Sequence, residues 1–188
     1  NVSPKPAHLA QYAVMGAIFY RNVMAGEQDK VHVSLLSVGS EEGKGSPLVK
    51  ESHALLTQSE LDFRGNIEGH EIFEGMSEVI VCDGMVGNVV LKTAEGLAEI
   101  LTKMIAAQAI NAGLAEDERF RAAMKGLGVQ IDWQEVGGAA LLGVNGVVVI
   151  AHGRSNERAI ASGIRTAAGC CEKRINEKIT EALSQEAS

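Results

Sequence analysis

Proline, cysteine and aromatic residues are all scarce in this 188-residue chain: three prolines, three cysteines and 4% aromatics. Three prolines set against 21 glycines argue against a disordered proline-rich chain and for an α/β protein with many tight strand-to-helix turns. The cysteines, Cys82, Cys170 and Cys171, are odd in number, two are adjacent, and none has metal-ligand spacing. That excludes a disulfide framework and points to a reducing, cytoplasmic setting. Trp133 stands alone, so no aromatic platform for nucleic-acid bases is expected. Excess positive charge is also lacking. The net charge of −7 repels nucleic acid and anionic membrane surfaces alike, and any acidic partner needs a local basic patch.

Long apolar runs are missing too. Val136 to Ala151 is the longest charge-free stretch, and its four glycines and Asn145 interrupt a segment already too short to span a bilayer. No charged segment followed by an apolar core opens the chain, so no secretory signal is expected. The first residue is Asn1 rather than methionine, which points to a start inside a longer parent. His32, His53 and His70 are isolated from carboxylates at ligand spacing, so neither a metal nor another cofactor is expected.

What is present, 46% apolar and 22% charged residues, suits one soluble domain over residues 1–188 with a well-buried core. Ser3 is placed to cap a helix opening at Pro4 or Pro6 and running to Met24, with Leu9, Tyr12, Gly16, Phe19 and Val23 on its apolar face and Gly26 ending it. A strand over Val31–Val38 follows, then a glycine-rich loop from Gly39 and a helix opening at Pro47. Leu61–Ile67 reads as a weaker strand, with a helical turn at Glu71–Glu74.

Glu78–Gly96 is the segment around which the chain is expected to be organised. Glu78–Cys82 is a β-branched apolar run, read as a buried central strand, and from Asn88 apolar residues recur at helical spacing through Ile105. Asn111–Gly113 breaks that helix and Glu116–Lys125 makes a second, so a helical hairpin is expected over about 89–127. Leu141–Ala151 supplies further strand material with a hairpin at Asn145-Gly146, and one last helix, capped by Ser155 or Asn156, runs to about Leu183. Alternating strands and helices argue for an α/β fold with a mostly parallel sheet.

Three strand-to-helix junctions carry polar residues among glycines, and one sheet edge is expected to gather them. The first is Ser40–Ser46, where the N–H groups around Gly43, Lys44 and Gly45, with Ser46 before the helix, form an anion cradle without the spacing of a nucleotide-binding P-loop. Its plainer meaning is a solvated turn. The second joins Asp83 and Asn88 across Gly84 and Gly87: the carboxylate can orient a donor or accept a proton, and the amide can donate to an oxyanion. A helix cap and a satisfied turn explain them equally. Cys82, in a strand and far from any histidine in sequence, reads as core filler rather than a nucleophile. The third junction is His152-Gly153-Arg154-Ser155 at a helix N-terminus, suited to a phosphate or to nothing more than a cap.

Taken together, Val33–Gly45 (VSLLSVGSEEGKG), Phe63–Gly69 (FRGNIEG), Val79–Gly96 (VIVCDGMVGNVVLKTAEG) and Gly137–Gly146 (GGAALLGVNG) resemble the bacterial phosphate acyltransferases of phospholipid synthesis. The resemblance spans nearly the whole chain in the family's order, and places Asn1 well inside the family sequence. It implies a three-layer α/β/α sandwich like that of phosphate acetyltransferases and isocitrate dehydrogenases, usually a homodimer. It also implies transfer of a fatty acyl group from acyl carrier protein to inorganic phosphate without metal or covalent intermediate, with Lys44, Asp83 and Asn88 as the catalytic set. Arg119, Arg121 and Lys125 are the candidates for docking the acidic carrier. Leu114 and Phe120 at the hairpin tip are candidates for a peripheral membrane contact or a dimer contact. A coenzyme A-dependent phosphate acetyl- or butyryltransferase, and a non-catalytic assembly or membrane-docking module, are the rival readings.

Overall fold

The structure, a computed structural model, describes residues 1–24, 30–131, 138–153 and 155–186. It is α/β, with an all-parallel three-stranded sheet flanked by helices, in keeping with a three-layer α/β/α sandwich. Strand β1 (His32–Leu36) lies between β2 (Asp62–Ile67) and β3 (Val79–Val81). The centre of the sheet is therefore β1, and β3, expected to be central, is an edge of this sheet. The burial explains it: Val33 and Leu35 are fully buried, whereas Val79 and Ile80 are only half-buried.

Helix α1 (Pro6–Phe19) continues as a wider π-helical turn over Tyr20–Met24, as far as the pattern predicted. Its N-cap is Lys5 rather than Ser3, with Pro6 at the first helical position and the His8 ring accepting the Lys5 N–H at 3.1 Å. Gly26 lies outside the described residues. Two faces of α1 are apolar, not one. Leu9, Ala13 and Ala17, spaced by four, pack on Val33, Leu35 and Val81 of the sheet, while Met15 packs with Cys170, Ile175 and Ile179. A helix covered on two sides carries apolar residues most of the way round. Gly16 lies so close to β3 that an added Cβ would stand 2.8 Å from Val79 Cγ1.

Helix α2 (Pro47–Thr57) packs on the same face of the sheet as α1 through Leu56, and Ser46 caps it by accepting the Val49 N–H. Helix α3 (Gly84–Asn111) starts at Gly84 rather than Asn88, because Asp83 supplies the cap, and is followed, after a turn at Ala112 and Gly113, by α4 (Glu118–Ile131). Among its described residues only Ala109 is buried, and Leu97, Ile100, Leu101 and Met104 are exposed. No described helix is long and apolar enough to cross a membrane.

The pair β4 (Ala139–Ala140) and β5 (Val149–Ile150) is antiparallel and closes the expected hairpin with very short strands. The last helical stretch is two helices, α5 (Glu157–Glu172) and α6 (Ile175–Glu186). Arg174, at φ 52°, makes the break. It lets Cys170 and Ile175, five residues apart, enter one cluster with Met15.

Candidate active site

Strands β1 and β3 are adjacent and parallel, so the loops that leave them, 37–46 and 82–84, emerge from one sheet edge. That is where open α/β sheets bind ligands. Two of the three polar junctions are thus gathered as expected. The third follows β5, which belongs to the separate two-stranded sheet, so it is not carried by that edge.

In the first junction, Ser37 continues the β1–β2 ladder by donating its N–H to the Ile67 carbonyl at 2.9 Å. The chain then turns over Glu41–Lys44, where Lys44 N–H donates to the Glu41 carbonyl at 3.0 Å. Gly39 is buried beneath the Lys44 stem, and a Cβ there would lie 2.9 Å from Lys44 Cγ. Gly45 has φ +95° and sits against Ser37 and Val49, at 3.0 and 2.7 Å from where its Cβ would be. Gly43 faces open space, and Lys44 and Ser46 are exposed. A turn pinned beneath and open above leaves a cation and backbone groups accessible at the N-terminus of α2.

In the second junction, Asp83 Oδ1 accepts the N–H groups of Met85 and Val86 at 2.8 and 2.9 Å. The carboxylate caps α3, and its second oxygen, Oδ2, takes no part in that cap. Gly84 donates its N–H to the Asn1 carbonyl at 2.7 Å and admits that segment, since a Cβ would stand 2.8 Å from the same oxygen. Gly87 similarly lets the first turn of α3 approach Cys82, with Sγ 3.2 Å from its Cβ position. Asn88 is exposed on that turn. Burial, reinforced by the Asp83 charge, pushes the Cys82 thiol up, which suits core filler and not a nucleophile.

At the third junction Asn156, not Ser155, caps α5, accepting the Ala159 N–H at 3.0 Å. His152 and Gly153 are exposed, and Ser155 N–H closes a turn onto the His152 carbonyl at 2.9 Å. Arg154 lies outside the described residues.

Arg119, Arg121 and Lys125 are all exposed on α4. Arg121 is engaged by Glu116 at 2.5 Å and by the Ala115 carbonyl at 2.9 Å. Arg119 stands two residues from Arg121, on roughly the opposite side of the helix, while Lys125 shares the Arg121 side. Between α3 and α4 Leu114 is exposed, and on α4 Phe120 is half-buried, with Asp117 capping that helix.

A shallow cavity of about 330 Å³ beside β2 is lined by His53, Leu56, Thr57, Leu61, Phe63, Arg64 and Gly65. It includes none of Lys44, Asp83 and Asn88. Among the described residues no group of three or more histidine, cysteine, aspartate or glutamate side chains is arranged to hold a metal.

Two polar residues at this edge escaped the sequence reading. Asn66, at the end of β2, is 6% exposed and donates its amide to the Glu41 carbonyl at 3.0 Å. Ser37 Oγ is enclosed beneath Gly45. The available signal was Gly65 inside a strand, a common mark of a bulge.

Residues 1–178 match the family of fatty acid synthesis proteins. The chain is 44% identical over 187 residues to a phosphate acyltransferase of Thermodesulfovibrio yellowstonii, covering 98% of this chain and 54% of the relative. It is 42% identical over 188 residues to one of Geobacter sulfurreducens, covering 99% and 54%. A third, from Wolinella succinogenes, is 44% identical over 190 residues, covering 100% and 56%. The chain spans about half the length of these curated relatives.

Proposed function

Because the chain belongs to the family of fatty acid synthesis proteins, we propose that the polypeptide to which it contributes transfers a fatty acyl group from acyl carrier protein to inorganic phosphate. The relatives' name, phosphate acyltransferase, supports the acyltransferase class. The observation that carries the assignment to this region is the shared sheet edge, where the Lys44 turn and the Asp83 cap leave adjacent parallel strands.

Phosphate sits against Lys44 and the N–H groups of Gly43, Gly45 and Ser46. One phosphate oxygen attacks the thioester carbonyl carbon. Asn88 and backbone donors stabilise the tetrahedral oxyanion. Collapse breaks the C–S bond, the carrier thiolate leaves and takes up a proton, and acyl phosphate remains. Asp83 holds its α3 cap through Oδ1, leaving Oδ2 to orient the protonated phosphate oxygen. Phosphate is already a nucleophile and a thiolate a good leaving group, so no metal and no covalent enzyme intermediate is required. His152, Gly153, Arg154 and Ser155 contribute a second set of anion-binding groups for the substrate.

Arg121 and Lys125, on one side of α4, and Arg119 on the other, serve as docking charges for the acidic carrier. The exposed apolar residues of α3, Leu97, Ile100, Leu101 and Met104, support a homodimer built through the hairpin, and exposed Leu114 supports a peripheral membrane contact at its tip.

The donor is tested with full-length enzyme given acyl-carrier and acyl-coenzyme A thioesters of one chain length. Acyl phosphate formed at least tenfold faster from the carrier thioester is expected. Preference for coenzyme A would replace the donor with the rival one, and no acyl phosphate from either would leave a non-catalytic role.

A further inference from the structure

Strand β2 carries one residue more than β1 in their parallel pairing: Val33 faces Phe63 but Leu35 faces Asn66. The extra residue is a bulge around Gly65, whose φ is +90°. A Cβ on Gly65 would meet nothing within 4 Å, so backbone conformation rather than crowding calls for glycine there. The bulge resets the alternation of the strand and re-aims the side chain that follows it. Asn66 now stands in register with Leu35, on the face that Ser37, the residue just past β1, shares by alternation.

That re-aimed side chain is buried under the glycine loop. Its Nδ2 donates to the Glu41 carbonyl at 3.0 Å, and the same carbonyl accepts the Lys44 N–H at 3.0 Å. One oxygen thus ties the end of β2 to the turn that presents Lys44. Asn66 Oδ1 and Ser37 Oγ are both enclosed and make no hydrogen bond among the described residues. Buried polar atoms in folded proteins are nearly always satisfied, so each exception calls for an explanation, a functional role among them. An asparagine serving only as core filler would not be delivered by a positive-φ bulge and left with half its amide unpaired.

We infer that Asn66, aimed by the Gly65 bulge, is a positioning residue of the anion site: through the Glu41 carbonyl it fixes the turn that offers Lys44 and its neighbouring N–H groups to phosphate. This rests on the reading of the Gly39–Ser46 loop as the phosphate cradle. Asn66 acts through the loop and not on the acyl group, so its loss changes the enzyme's use of phosphate selectively.

The test is initial rates of the full-length enzyme against phosphate at saturating acyl thioester, and the converse, for wild type, Lys44→Ala, Asn66→Asp and Gly65→Ala. Asn66→Asp keeps the size of the side chain and removes the N–H that the Glu41 carbonyl accepts. It also puts a negative charge beneath the anion site, so the inference stands only if Gly65→Ala, which adds no charge, shows the same selective change. Its expected effect is a rise of about tenfold or more in the KM for phosphate, with the KM for thioester within about twofold of wild type. Gly65→Ala leaves Asn66 chemically intact and should raise the same KM, because the bulge can no longer hold φ +90° without strain. A wild-type phosphate KM in Asn66→Asp and Gly65→Ala, alongside a raised one in Lys44→Ala, overturns the role of Asn66 and leaves the cradle standing. Unchanged phosphate KM in all three variants overturns the cradle and the inference with it. Equal rises in both KM values for Asn66→Asp would mark a general packing role and also overturn it. Should Asn66→Asp not fold, Gly65→Ala decides by the same criterion.

Discussion

His32 and Glu78 hold each other three times: the Glu78 carboxylate accepts the His32 backbone N–H at 2.7 Å and lies 3.2 Å from the ring Nδ1, and the Glu78 N–H donates to the His32 carbonyl at 3.1 Å. The other ring nitrogen faces Asp62 at 3.6 Å, so one side chain links all three strands at the amino edge of the sheet, opposite the candidate site. A hydrogen bond to a charged group contributes about 1.5–3 kcal/mol. Glu78→Ala should therefore lower the unfolding free energy by about that much in urea melts. Arg64→Ala, which removes a more exposed partner of Asp62, should cost less than about 1 kcal/mol.

Asp83 separates structure from chemistry by a single atom. Asn and Asp cap helices comparably, whereas Ala in that position costs about 1 kcal/mol. Asp83→Asn should keep the melting temperature of wild type and Asp83→Ala should lower it. If the carboxylate also orients phosphate, both variants lose turnover, and a fully active Asp83→Asn would confine the residue to capping.

The two loop glycines should respond differently to one methyl group. Gly45→Ala forces a side chain into φ +95° and within 2.7 Å of Val49, a strain of about 1–3 kcal/mol. Gly43→Ala meets nothing within 4 Å and should stay within about 0.5 kcal/mol of wild type. Equilibrium denaturation of the pair checks this directly.

Thiol chemistry should follow burial. Burial raises Cys82, and burial with the adjacent Cys171 raises Cys170, so both hold less thiolate than an ordinary cysteine at any pH below their own titration. Exposed Cys171 should be alkylated first at neutral pH, and the gap should narrow as pH rises. Cys82→Ala should retain turnover. Mass spectrometry of iodoacetamide-treated protein follows the order of labelling.

Much of this architecture was legible because period and punctuation carry it. Pro47 after a glycine-rich loop marked α2, and Asn111–Gly113 marked the end of α3, since glycine and proline act locally. The order of the strands was not legible. A run such as Glu78–Cys82 is as apolar as His32–Leu36, and only pairing decides which is central. The apolar periodicity of α3 sets in only at Asn88, whereas its first turn, Gly84–Gly87, is fixed by the Asp83 cap. The split between α5 and α6 turns on a non-glycine residue at positive φ, Arg174, which no composition signal announces. Asn66 stayed hidden because a buried asparagine gains meaning only from its partners, here a carbonyl 25 positions away.

The most direct test is a crystal of the full-length enzyme grown with phosphate and refined for the position of that ion. The account predicts phosphate against the Gly43–Ser46 backbone and the Lys44 ammonium, on the side facing Asp83 and Asn88. Phosphate bound elsewhere, with Lys44 and Asn88 remote from it, would contradict it.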